Sequence, residues 1–237
     1  MQVTGSSHTT MIDNNKDKIS IQVGLSGYSF KVQGQEGLRS SGWLSAEQIF
    51  STPDLQKKHD EVSIAVFTHK YTLVPAGFYD SDKAREMLAE VVSLDEDDVI
   101  EAVQVPQSAA VLIYSLSSAG TLPKVMTETA LRKDGAKAKP LPEAFYMLEQ
   151  LQDLPEYNKI MASYMDGYVH IVISQGKSLL LCNSYRAVDF TTAEYFIFLA
   201  MKKLQLNPEV SSICFRTPLS EEQELSLYRY FRSVEHI

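Results

Sequence analysis

Few stretches of this 237-residue chain carry side chains or turns that could do chemistry. The first is Gly24-Leu25-Ser26-Gly27, whose amides and Ser26 hydroxyl could cradle an anion, although the turn brings no carboxylate to a metal ion. The second is Asp166-Gly167, which either offers a carboxylate to a cleft or simply closes a hairpin between two apolar runs. His69 and Lys70 stand before Tyr71-Thr72-Leu73-Val74-Pro75 and are candidates for a cleft role. His170 falls on the exposed or half-exposed alternation of a strand and reads as a hydrogen-bonded structural histidine.

Arg186 and Asp189 flank a helix start. Arg186 could hold an anion there, where free amide hydrogens and the helix dipole favour negative charge, or it could brace the loop by pairing with Asp189. Asp95-Glu96-Asp97-Asp98 is the densest acidic run and reads as a solvated turn; Lys133, Lys137 and Lys139 read as a solvated basic linker. Cys182 and Cys214 lie in apolar runs, without a second Cys or a His at zinc-ligand spacing, and read as reduced core thiols.

The elements that must position these residues alternate between strand and helix. Residues 1–17 are polar and aperiodic and read as a mobile tail with no secretory signal, which points to the cytoplasm. A hairpin follows over Ile19–Leu25 and Tyr28–Val32, then a short helix near Ser45–Phe50 and a strand over Val62–Val66. The spacing predicts a helix over Ser81–Leu94, strands over Val99–Val105 and Ala109–Leu116, and helices over Leu122–Arg132 and Pro142–Leu154. A second strand meander begins at Ile160. Thr191 and Glu194 form a capping-box pattern for a helix ending at Leu204, whose apolar residues point in every direction, so it is expected between the two halves. Val210–Phe215 reads as a strand, and a final helix starts at Ser220 and carries Leu227, Tyr230, Phe231 and Val234.

The halves, 18–139 and 140–237, share this order of elements. Net charge is −8, which disfavours nucleic acid, and the longest apolar run is far short of the roughly 20 residues that span a bilayer. No nucleic-acid or membrane partner is expected.

Ile19–Phe30, Tyr71–Pro75, Cys182–Phe196 and Leu204–Glu209 resemble an uncharacterised bacterial family of unknown function with the fold of actin-like ATPases. The resemblance implies an α/β protein of two ribonuclease-H-like subdomains, each a mixed sheet with flanking helices. Proteins of that class hold ATP between the subdomains with a glycine turn and an acid in each half and a glycine-rich adenosine segment. By that comparison the cleft candidates here are Ser26, Gly27, Asp166, Gly167 and Arg186. The first turn lacks the metal-facing acid, and Arg216-Thr217-Pro218-Leu219 stands where glycines would admit adenosine. Nor does Ile19–Leu25 carry the carboxylate that a two-metal nuclease needs on its first strand. Neither ATP nor magnesium is therefore an expected cofactor. The expected function is a non-catalytic protein-interaction or scaffold module, a monomer or weak homodimer. The alternative is a nucleotide- or anion-binding switch with weak ATPase activity in the cleft, and self-assembly is a third reading.

Overall fold

The computed structural model describes residues 16–35 and 37–237, so the expected tail lies outside it apart from Lys16 and Asp17. Alternation of Ile19, Ile21 and Val23 with polar residues produces β1 (Lys18–Val23), which pairs antiparallel with β2 (Gly27–Gly34). Burying each such side chain contributes about 1.5–3 kcal/mol. Strands β3 (Gly37–Ser40) and β4 (Leu44–Ser45) both pair with β2. A short β5 (Lys58–His59) precedes β6 (Glu61–Val66), which runs parallel to β1 on its other side.

Next come β7 (Tyr71–Pro75), α1 (Ala84–Ala89), β8 (Ile100–Val105) and β9 (Ala110–Ser115). Their strands form a separate antiparallel sheet in the order β7-β9-β8. All six residues of β9 are buried, as a nearly all-apolar central strand requires. The chain then forms α2 (Leu122–Thr129), β10 (Leu131–Arg132), β11 (Pro140–Pro142) and α3 (Glu143–Leu151). Strand β10 pairs with β5, and β11 adds to the outer edge of β6 in the first sheet. Pro140–Pro142, at the head of the expected second half, is thus a strand of the first sheet.

The second sheet contains β12 (Asn158–Met165), β13 (Tyr168–Gln175), β14 (Ser178–Arg186), β15 (Ser212–Phe215) and β16 (Ser233–His236), with α4 (Phe190–Lys203) and α5 (Glu221–Tyr228) in the connections. Its order, β14-β13-β12-β15-β16, matches β3-β2-β1-β6-β11 strand for strand. In each sheet an antiparallel hairpin leads, and two later strands run parallel to its first strand. The α/β architecture with two related mixed sheets follows the sequence reading.

Helix α4 corrects one expectation. It lies against the second sheet rather than between the halves, burying Ala193, Ile197, Ala200 and Met201 with Val169 and Ile171. Its remaining apolar residues serve the same half: Phe196 stacks on Tyr185 at 4.8 Å, and Phe198 packs on Tyr230 and Phe231. The bridging element is α3, whose Phe145, Met147, Leu148 and Leu151 share one core with Tyr71, Val105 and Leu112 of the three-stranded sheet and Met161 and Val172 of the second.

Capping differs as well. The α4 N-cap is Asp189, whose carboxylate accepts the Thr192 amide at 2.7 Å, so Thr191 lies inside the helix and no Thr191–Glu194 box forms. A charged acceptor outcompetes a hydroxyl for that amide. The Ser220–Gln223 box of α5 forms as expected. That helix ends at Tyr228, and Val234 belongs instead to β16. Helix α1 is shorter than the periodicity predicts, ending before the β-branched pair Val91-Val92.

Candidate functional site

The hairpin turns of the two sheets meet. In the first, the Gly24 amide donates to the Gly27 carbonyl at 3.0 Å, which leaves the Leu25 amide pointing outward. In the second, Asp166 and Gly167 have φ of 53° and 75°, the pair of positive angles a type I′ hairpin turn demands. Leu25 N–H donates to Asp166 Oδ2 at 2.8 Å across the gap. Space is tight at both ends of the first turn, and at Gly27 the backbone itself excludes a side chain. A methyl group on Gly24 would lie 2.7 Å from Asp166 Oδ2 and 3.0 Å from the Trp43 ring, and one on Gly27 would lie 2.2 Å from the Leu44 carbonyl oxygen.

The five candidate residues therefore divide. Gly27 is buried beneath Trp43 and Leu44; Ser26 is exposed, its carbonyl accepting the Ala46 amide at 3.2 Å. Asp166 reaches the first turn through its carboxylate, the Gly167 carbonyl instead accepts the Ala187 amide at 2.7 Å, and Arg186 is exposed on β14, paired in register with Tyr168 beside the second turn. Among the described residues no ion pair joins Arg186 to Asp189, since the Asp189 carboxylate caps α4.

Beside the joined turns lies a space of about 180 Å³, bordered by Leu25, Thr68, His69, Ser118, Asp166 and Tyr168. Among the described residues Asp166 is its only carboxylate lining; burial raises its pKa, and the Leu25 amide pulls the other way. His69 stacks flat on Tyr168 with ring centroids 4.4 Å apart. Burial, then the Lys70 charge, lowers the His69 pKa. Behind it His170 is buried, contrary to the half-exposed position expected from alternation, because α3 and β7 cover that face of β13. Its Nδ1 lies 3.4 Å from the Tyr71 hydroxyl, and burial pushes its pKa down to about 3.

Lys70 points away from this space. It bonds Asp98 at 2.6 Å and Asp95 at 2.7 Å, and Asp98 also accepts from Ser115 Oγ at 2.7 Å. The acidic run is thus not simply a solvated turn, for Asp98 anchors a buried lysine that needs a counter-charge. Its pKa is lowered to about 2 by the Lys70 and Ser115 hydrogen bonds, which outweigh burial. Among the described residues no group of three or more His, Cys, Asp or Glu side chains is placed to hold a metal ion.

A second polar cluster had no distinguishing mark in the sequence. Glu143, the first residue of α3 and fully buried, accepts from Gln22 Nε2 of β1 at 2.9 Å and Ser163 Oγ of β12 at 2.6 Å. Arg216 Nε lies 3.2 Å from the same carboxylate oxygen without the alignment of a hydrogen bond. Arg216 therefore turns into the interior rather than toward the two turns.

A family model described as Protein of unknown function (DUF3822) matches residues 6–234. The chain belongs to that family. No curated protein matches this DUF3822 chain. Its structure is similar to a Bacteroides thetaiotaomicron protein with actin-like ATPase fold and unknown function, with TM-score 0.65, 16% identity, and 96% of this chain and 94% of that chain covered. The DUF3822 chain has the actin-like ATPase fold. Weaker likenesses link it to two further structures. One is the PilM-PilN type IV pilus biogenesis complex, with TM-score 0.47, 14% identity, and 93% and 88% of the two chains covered. The other is the cytoplasmic domain of EpsL from Vibrio cholerae, with TM-score 0.43, 12% identity, and 86% and 83% covered. Among the described residues no helix of the DUF3822 chain is long and apolar enough to cross a membrane.

Proposed function

We propose that this DUF3822 protein is a non-catalytic module of the cytoplasm that uses the actin-like scaffold to dock another protein and works without ATP or magnesium. The observation that carries this reading is the contact between Leu25 and Asp166. A turn that binds phosphate must present free amides, and here the outward amide is already taken by the carboxylate that would otherwise face a hydrated metal ion. The remaining space of about 180 Å³ is below the roughly 300 Å³ at which small-molecule sites begin. Trp43 packs over the other side of the first turn.

Thermal melting with and without Mg-ATP, against inorganic phosphate at equal ionic strength, tests the reading. The melting temperature is expected to stay constant. A saturable rise with Mg-ATP that follows mass action would overturn it.

A further inference from the structure

A groove of about 650 Å³ lies between the 3-10 helix Ala46–Ser51, helix α2 and the start of β11, lined by Phe50, Leu116, Val125 and Pro140 among others. It shares no residue with the space beside the joined turns, and its volume falls inside the roughly 300–1,000 Å³ typical of small-molecule sites. Leu116 and Val125 give only part of their surface to the core of the first sheet. Phe50 stands at the groove with 75% of its surface exposed. The fold thus leaves accessible hydrocarbon on several sides of one concave space.

Four charged side chains also border the groove, and three of them are already matched. Glu101 pairs with Lys139 at 2.5 Å, and Glu128 pairs with Lys137 at 2.6 Å. Lys124, exposed on α2, has no hydrogen bond or ion pair among the described residues. The groove therefore joins apolar surface to one uncompensated positive charge. Its hydroxyls are spent: Thr127 Oγ1 donates to the Pro123 carbonyl at 3.0 Å, and Thr129 Oγ1 donates to the Val125 carbonyl at 2.8 Å. A peptide laid along this lining would set most of its carbonyls against hydrocarbon with no hydroxyl donor, a cost that an alkyl chain does not carry.

We propose that this groove binds a free medium-chain fatty acid, with the alkyl chain against Phe50, Leu116, Val125 and Pro140 and the carboxylate on Lys124. The chain supplies the binding energy through buried methylenes, and the exposed lysine selects the sign of the headgroup.

The test is calorimetric titration of the full chain with octanoate, decanoate and dodecanoate below their micelle-forming concentrations, with acetate and decyltrimethylammonium as controls. Saturable binding is expected, tightening by a factor of about 4–15 for each two-carbon extension as methylenes go from half to full burial. Acetate should not bind, and decyltrimethylammonium should bind more weakly than decanoate. Phe50→Ala should weaken decanoate about threefold or more, and Lys124→Glu should weaken it about three- to tenfold while favouring the cation. Both side chains are exposed, so neither change disturbs the core. The groove is separate from the joined turns, so failure here leaves the interaction reading standing, and a Mg-ATP effect there leaves this one standing. Absence of saturable dodecanoate binding overturns the proposal, as does decanoate binding that either variant leaves unchanged. Tighter binding of a leucine-aspartate peptide than of dodecanoate would assign the groove to a partner segment instead, and dimerisation in sedimentation that Phe50→Ala abolishes would assign it to a second copy; either result also overturns the proposal.

Discussion

Gln22 and Glu143, 121 positions apart, are joined by a buried 2.9 Å hydrogen bond that ties the inner strand of the first sheet to the first turn of α3. Ser163 completes the tie from the second sheet. Removing this carboxylate strands the Arg216 guanidinium and both donors in the interior. Glu143→Ala should therefore lower stability by about 3–5 kcal/mol, read as a lower urea midpoint. The double replacement Glu143→Met with Arg216→Met should cost less than the sum of the single changes, because it removes the opposed charges together.

The first turn allows a graded steric test. On Gly27 a methyl group would meet backbone at 2.2 Å, whereas on Gly24 it would meet the end of the Asp166 side chain, which can move. Gly27→Ala should reach or exceed the upper end of the roughly 1–3 kcal/mol typical of overpacking, and Gly24→Ala should cost less. Denaturant midpoints of the two variants check the order.

At Asp166, Asn keeps an oxygen acceptor for the Leu25 amide and tolerates positive φ, whereas Ala does neither. Asp166→Asn should stay within about 1 kcal/mol of the parent, and Asp166→Ala should lose about 2 kcal/mol. Equal losses in melting experiments would contradict the hydrogen bond.

Acid should destabilise the fold through two groups. The His170 pKa falls from 6.5 to about 3 on burial, so below pH 6.5 the unfolded chain takes up a proton that the folded chain refuses. Stability from this group is complete above 6.5 and is lost as pH falls toward 3. Asp98 drops from 3.8 to about 2, so its contribution is complete above 3.8 and is lost as pH falls toward 2. His170→Gln should flatten the upper part of the acid limb and Asp98→Asn the lower part, measured as urea midpoints across pH.

The repeating order of strands was legible because Ile19, Ile21 and Val23, and later Ile160 and Ala162, alternate with the period of a strand. Both turns announced themselves through glycine. Their contact was not legible, since nothing local in Leu25 or Asp166 records a partner 141 residues away. Glu143 opens a helix after Pro142, where an acid is ordinary, so its burial among Gln22, Ser163 and Arg216 left no trace. The outward position of α4 was missed for a related reason: aromatic residues packing on the strand and helix of their own half look in sequence like residues facing a second domain.

Strand β11 and helix α3 leave the ribosome after most of the first sheet, yet one completes that sheet's edge and the other finds half of its apolar surroundings only once β12 and β13 have been made. A nascent chain stopped at Lys139 would expose the bare flank of β6, an open template for pairing with other chains. Synthesis through Gln175 supplies both missing surfaces, which makes the lobes mutually dependent during biogenesis and a poor choice for expression as separate fragments.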